Sequence, residues 1–400
     1  MTAAWFDALN GLWTVLAVML ALATLPGTLY LTVLTLAGLR RVVPAADQRP
    51  LAGPIAIVVP AHNEAAGIAR TVDNLVAIAR ADGATTVCVV ADNCSDDTAD
   101  LARAQGAHVL ERHNLTQRGK GYALDHAFTQ LDGEGFVAYV VIDADTLAEP
   151  NLLSVLRRHL GAGALAVQTR YTVLNAEQSP RTRLAELALC AFNALRPRGR
   201  HALGWSAGIL GNGFALTAQA LQQVPYRATS VVEDLEYHLR LIEQGLRVHF
   251  ADETTVRGDM PVAGSGQATQ RARWEGGRLR MLLDHGASLL RRGLTGQWRF
   301  LEPLLDLLLL PLAYHSVLLL ALLLIPLSWA HGLGLAGLEV LALHVLVAAA
   351  VGGLGPRRLC LAFWAVPEYL WWKLRMLRTT VKTSQASAEW ERTHRDTPHN

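Results

Sequence analysis

The segment Ser230-Val231-Val232-Glu233-Asp234-Leu235-Glu236 sets two adjacent carboxylates after a β-branched pair and ahead of a helical run over 237–245. Acids at a helix start are ordinary, because the exposed backbone N–H groups there favour negative charge. Their company gives them a second meaning. Asp143-Ala144-Asp145 follows a hydrophobic run upstream, and Gln270-Arg271-Ala272-Arg273-Trp274 lies downstream. Together these clusters suit a phosphorylated sugar donor and an acceptor hydroxyl.

Asp234 is the candidate base, since attack of a hydroxyl on an anomeric carbon needs a carboxylate within hydrogen-bond reach. Glu233 crowds it with like charge and raises proton affinity, although such pairs also sit harmlessly on surfaces. In an extended segment Asp143 and Asp145 point the same way. Two carboxylates suit a hard divalent cation, Mg2+ or Mn2+, that keeps some waters and binds diphosphate oxygens. D-x-D alone is common in solvated turns, and its place after a buried strand is what gives it weight. Lys120, in Arg118-Gly119-Lys120-Gly121, stands at a helix N-terminus, a setting that favours anions. It is otherwise a surface lysine, and the P-loop spacing is absent. Gly211-Asn212-Gly213 either turns the chain tightly or lets backbone approach a ligand, here the acceptor. Gln270, Arg271 and Arg273 add donors for a departing diphosphate, which the planar arginine fork fits. Trp274 adds an aromatic plate for a sugar ring; alone, the run is a basic helix face.

The elements that must position these groups follow from periodicity. Residues 55–59, 85–90, 107–110 and 136–142 are short apolar strands, separated by helical stretches over 65–80, 96–105 and 120–131. Strands without polar alternation, divided by helices, predict an α/β domain with a mostly parallel sheet covered on both faces. Ligands of such sheets sit beyond the carboxyl ends of the strands. Polar clusters occur at those ends: His62-Asn63-Glu64, Asp92-Asn93 and Asp143-Ala144-Asp145. A further strand is expected at 164–173. An amphipathic helix follows at 181–201, whose arginines form a solvated face or touch an anionic leaflet.

The chain has 400 residues, is 51% hydrophobic and carries a formal net charge of +2, which does not point to nucleic-acid binding. Four scattered cysteines without a C-x-x-C pair read as thiols of a reducing compartment. Residues 11–39 lack charge and exceed the ~20 residues that cross a bilayer, and Arg40-Arg41 follow. The start has no base, so 1–41 reads as an anchor and not as an export signal. Residues 307–330 and 332–355 form a second apolar region, with only Glu339 charged and its tip at 329–332. The basic flanks are Arg291-Arg292, Arg299 and Arg357-Arg358, which by the positive-inside rule puts both ends in the cytoplasm. Residues 359–378 mix aromatics with bases, as interfacial helices do. The expected organisation is therefore an anchor over 1–41, a catalytic domain over 50–293, a transmembrane hairpin over 300–356, and an interfacial helix with tail over 357–400. The catalytic domain would be cytoplasmic, on a multi-pass protein of a bacterial-type inner membrane.

The order Asp92, Asp143-Ala144-Asp145, Glu233-Asp234 and Gln270-Arg271-Ala272-Arg273-Trp274 resembles the D, D-x-D, E-D and Q-x-x-R-W series of the membrane-bound family 2 glycosyltransferases. That group includes the cellulose, chitin, hyaluronan and poly-N-acetylglucosamine synthases. The likeness runs from about residue 54 to residue 280, and Trp390-Glu391-Arg392-Thr393-His394-Arg395 resembles a W-x-x-T-x-R element of some relatives. The resemblance implies a Rossmann-like GT-A fold and an inverting single displacement with a nucleotide sugar, usually a UDP-sugar. It implies that Pro60, Ala61, Glu64 and Asp92 hold the nucleoside, and that Lys120 and Asp143 meet the diphosphate. Asp145 would join Asp143 at the metal, and Asp234 would be the base. Gln270, Arg273 and Trp274 would bracket the leaving group and acceptor, so that Asp145, Asp234 and Trp274 share one cleft. The sequence departs from the polymer synthases in having only about three spans and no F-x-V-T-x-K segment. The leading expectation is polysaccharide synthesis, with a partner subunit to complete a pore. Single transfer to a lipid, such as a polyprenyl phosphate, a ceramide-like lipid or a hopanoid, is the alternative. A scaffold that only binds nucleotide sugar, and a nucleotidyltransferase that releases pyrophosphate, are readings of other classes.

Overall fold

The computed structural model describes residues 2–43, 49–228, 230–262 and 265–383. The W-x-x-T-x-R tail motif lies outside them. Strands β1 (Ile55–Ala61), β2 (Thr85–Asp92), β3 (His108–Arg112), β4 (Ala138–Val141), β5 (Thr146–Ala148), β6 (Ala166–Val173), β7 (Phe214–Thr217) and β8 (Val248–Gly258) form one sheet in the order β3-β2-β1-β4-β7-β6-β8-β5. The first four in that order are parallel, as their unbroken apolar runs require. Alternate residues of β1 split between two cores. Ile55, Ile57 and Val59 pack under helices Ile68–Asp82 and Leu152–Gly161, and Ala56 and Val58 pack under helix Lys120–Gln130.

The sheet is mostly parallel, as expected, since β6 and β8 also pair parallel and six of the eight strands run the same way, with two antiparallel members. Strand β7 enters between β4 and β6 antiparallel to both, and β5 runs antiparallel to β8. Periodicity identifies a buried strand but carries no sign for its direction. Asp143-Ala144-Asp145 is a turn and not an extended segment, closed by a 3.1 Å bond from the Thr146 amide to the Asp143 carbonyl. The alternation argument for its two carboxylates therefore does not apply.

Among the described residues, two helices are long and apolar enough to cross a membrane: Asp7–Gly38, the greater part of helix Thr2–Gly38, and Ser328–Gly352. Trp298–Leu308 and Leu312–Leu323 are bent against each other by 76°, and count as a third crossing only if that pair is one span. The expected unbroken span over 307–330 is thus interrupted. Pro311 lacks an amide proton and disfavours helix at the residue before it, and the chain is extended at Leu309. The turn between the last two apolar helices falls at residues 324–327, ahead of the expected tip at 329–332.

The basic stretch at 181–201 also differs from expectation. It folds as helix Pro180–Leu189, a π-helical segment Cys190–Leu195 and helix Arg196–Ala202. Arg196 and Arg200 are buried, and Arg198 reaches Asp252 at 3.5 Å. These arginines knit the sheet to the apolar helices, because acids from distant segments meet them there. Neither a solvated face nor a leaflet-binding surface describes them.

Candidate active site

The antiparallel pairing of Val141 with Phe214 brings the turn after β4 beside the turn before β7. Asn212 fastens the two turns together. Its Oδ1 accepts from the Asp143 amide at 3.1 Å, and its Nδ2 donates to Thr146 Oγ1 at 2.8 Å. Its carbonyl accepts from Gln168 at 2.7 Å, and the residue is wholly buried. Gly213 faces inward as well, since a Cβ there would stand 2.4 Å from Thr169 Oγ1. Asn212 and Gly213 therefore brace the two turns against the sheet. Gly211 is the member of the trio that meets the acids. A Cβ on it would lie 3.1 Å from Asp234 Oδ2.

Lys120 opens helix Lys120–Gln130 after Gly119, whose φ of 120° only glycine adopts easily. Its ammonium donates to the Asp143 carboxylate and to the Gly211 carbonyl. Gly121 lets that helix come close, because a Cβ there would sit 2.0 Å from the Ala228 carbonyl oxygen and 3.3 Å from Glu233 Cβ. Glu233 and Asp234 start helix Glu233–Glu243, and Asp234 Oδ1 accepts from the Leu235 amide at 2.8 Å. Lys120, Asp143, Gly211, Glu233 and Asp234 thus form one cluster, assembled from four segments.

Charges in this cluster set one another. Burial, then the charge of Asp234, pushes Glu233 up to about 7 against the pull of Lys120. Burial also raises Asp234, opposed by the Leu235 amide and Lys120. Burial disfavours the Lys120 cation, but Asp143, Glu233 and Asp234 outweigh it and hold its pKa above the usual lysine value. The pair titrates as a unit. Its shared proton affinity is moved toward the neutral range where a general base works best.

The donor set is compatible with a hard cation. Asp143 and Asp145 are half-buried at the sheet edge, and Thr146 Oγ1 donates to Asp145 at 3.2 Å. Among the described residues no group of three or more His, Cys, Asp or Glu side chains gathers as a metal site. A cation held by one or two carboxylates, waters and substrate phosphates needs no more than this pair.

The expected nucleoside residues lie at the ends of the adjacent strands. Pro60 and Ala61 end β1 beside Val90 and Ala91. The Glu64 amide donates to Thr98 Oγ1 at 2.8 Å. Asp92 is buried and paired with Arg112 at 2.6 Å, and Arg112 also donates to the Gln117 carbonyl at 2.9 Å. Arg112 was missed in the sequence because its partner is remote along the chain. Asn63 and Asn93 hold left-handed φ of 54° and 52°, at the C-terminal ends of β1 and β2. Asparagine tolerates that region, and such backbone gathers at functional edges. The polar clusters at these strand ends were its visible signal.

Gln270, Arg271 and Trp274 line an apolar cavity of about 310 Å³, together with residues of the apolar helices. Helix Ser265–Leu294 joins this cavity to the acids, since a Cβ on Gly277 would stand 2.4 Å from Val232 Cγ1, next to Glu233. Arg273 lies one turn before Gly277 on the same side of that helix.

Residues 52–277 match the family described as glycosyltransferase like family 2, more than half of the chain. The chain belongs to this glycosyltransferase family. Among curated relatives, the β-monoglucosyldiacylglycerol synthase of Trichormus variabilis is 29% identical over 276 residues, which is 67% of this chain and 58% of that protein. A probable glycosyltransferase of Bacillus subtilis is 25% identical over 240 residues, 57% of this chain and 56% of that protein. The chain thus spans a little over half the length of the curated relatives it matches. A mannosyltransferase from Pyrobaculum calidifontis, solved in complex with GDP-Man and Mn2+, superimposes with a TM-score of 0.56 at 19% identity. That likeness covers 94% of this chain and 100% of the other, and it is one of fold. The α/β domain of this family member is accordingly GT-A-like.

Within the family 2 domain, Gly211 gives a direct test of the cluster. Its φ of 80° costs a non-glycine residue about 1–2 kcal/mol. Gly211→Ala also sets a methyl against Asp234 Oδ2. Turnover should fall at least about tenfold while thermal unfolding moves by only a few degrees, as such a strain cost allows. Turnover within twofold of wild type would separate Gly211 from the reacting groups.

Proposed function

We propose that this glycosyltransferase moves one sugar from a nucleoside diphosphate donor, UDP-linked in the first instance, to a hydroxyl of a membrane lipid, with inversion. The observation that carries the chemistry is the Lys120–Asp143–Gly211–Glu233–Asp234 cluster at the C-terminal edge of the sheet. In this reading Pro60, Ala61, Glu64 and Asp92 border the nucleoside, and Lys120 and Asp143 meet the diphosphate. Asp234 takes the proton of the attacking hydroxyl as the new glycosidic bond forms and the bond to diphosphate breaks. Asp143 and Asp145 would hold Mg2+ or Mn2+, which supplies positive charge to the departing diphosphate. Arg273 stands on the helix beside Val232 and is assigned to the leaving group.

Support for a lipid acceptor comes from two sides. Two curated relatives from different cyanobacteria are named as glucosyldiacylglycerol synthases. The apolar helices carry outward leucines, and exposed Trp329 lies at the start of the 328–352 segment, as residues of aromatic belts do. Arginines flanking those helices favour a cytoplasmic catalytic domain in a bacterial-type inner membrane. Polymer synthesis is the second reading, favoured by the Q-x-x-R-W series alone.

The test feeds membranes holding the full chain with a panel of labelled nucleotide sugars. Label is expected in solvent-extractable lipid, with release of nucleoside diphosphate. Prior treatment with a chelator should abolish it, and Mn2+ should restore it. Label in long insoluble chains would replace the lipid reading with the polymer one. Pyrophosphate release would remove sugar transfer from the scheme.

A further inference from the structure

The apolar cavity beside Trp274 has no part in the chemistry above. At about 310 Å³ it lies at the small end of the ~300–1,000 Å³ range of ligand pockets. Trp274 forms one wall, and Leu341 and Ala342 of the membrane-class helix Ser328–Gly352 form another. Ala188 and Ser316 close the sides, and Phe363, 44% exposed, stands at its rim. We infer that this cavity receives an acyl chain of the acceptor, a neutral lipid of the diacylglycerol class, and so presents its free hydroxyl toward Asp234. The inference rests on the lipid-acceptor reading and adds to it where the chain goes and what headgroup charge is accepted.

Three features support that occupant. The walls are mostly apolar and include a helix long enough to cross a bilayer, so a chain could enter without leaving an apolar setting. The cavity is continuous with the catalytic machinery through one helix, because Trp274 precedes by one turn the Gly277 that abuts Val232. At the rim Arg181 is paired with Glu368 at 3.6 Å, so a phosphorylated headgroup would compete with that carboxylate, whereas a neutral hydroxyl headgroup would not. A sugar polymer would find few hydrogen-bonding partners along these walls.

The full chain, purified in detergent, is assayed with dipalmitoyl and dibutyryl glycerol as acceptors. Ala342→Trp fills the cavity and Ala188→Leu fills it less; Leu335→Trp places the same indole at a 54% exposed position of the same helix. Ala342→Trp should raise KM for the dipalmitoyl acceptor about tenfold or more relative to the dibutyryl acceptor, a typical span for a hydrophobic pocket. Ala188→Leu should shift the same ratio in the same direction by a smaller factor, and Leu335→Trp should leave it within twofold. An unchanged chain-length ratio in both filling variants overturns the inference and leaves the lipid reading intact. Failure of the wild-type protein to label either acceptor, with label appearing in insoluble chains, removes both.

Discussion

Asp234→Asn should lower sugar transfer by about 10²–10⁴-fold, the range that general-base catalysis contributes. An amide cannot take the proton of the attacking hydroxyl, yet it keeps the shape and the hydrogen bond from the Leu235 amide. Donor binding should therefore survive, and donor affinity measured by calorimetry should stay within a few-fold of wild type. The pH profile supplies the second signature. Burial raises the proton affinity of both acids, Glu233 to about 7. The base works only when ionised, so the rate must fall as pH drops through the raised value. The acid limb of kcat/KM is expected well above the ~4 of an ordinary carboxylate. A limb near 4 would mean that the burial of the cluster does not govern the reacting group. Undiminished transfer by Asp234→Asn would remove that residue as base.

Arg200→Met should destabilise the fold by about 3–5 kcal/mol, the usual cost of leaving buried charge without its partner. Arg200 lies at a junction of distant segments. It pairs with Glu302 at 2.7 Å and with Asp306, and it donates to Tyr30 Oη of the first helix at 3.0 Å. Arg278, on the helix that carries Trp274, reaches Asp306 at 3.1 Å. Arg200 also donates to the Ala207 carbonyl at 3.3 Å, in the loop leading to Gly211. Loss of the cation strands Glu302 and loosens that loop, so activity should fall along with stability. Adding Glu302→Gln removes one stranded charge and should recover part of the loss. Equilibrium unfolding in detergent checks both variants. An Arg200→Met protein as stable as wild type would mean that the ion cluster holds nothing together.

Much of the catalytic half was legible from the chain itself. Apolar runs alternating with helical stretches announced an α/β sheet, because a strand buried on both faces cannot afford polar residues. Polar clusters at the ends of β1, β2 and β4 marked the edge where ligands of such sheets bind. Adjacent acids marked a helix start, and the helix after Val232 begins where they stand. The departures have two origins. The break at Pro311 and the D-x-D turn are local, set by a missing amide proton and a turn hydrogen bond that apolar periodicity does not register. The inward arginines of 196–200 depend on what packs opposite, and a local window does not contain the opposing segment.

Local order therefore determined which residues are acidic, which strands are buried and which helices are apolar enough for a bilayer, since these follow from side-chain type and spacing. Only the tertiary structure decided that β7 runs backwards between β4 and β6, that Gly211 lies against Asp234, and that Lys120 pairs with Asp143 and feels the charge of Glu233 and Asp234. It also set Trp274 on an apolar cavity walled by the apolar helices. The physical reason is that proton affinity, ion pairing and cavity shape are properties of neighbours in space, and antiparallel insertion and helix packing choose those neighbours.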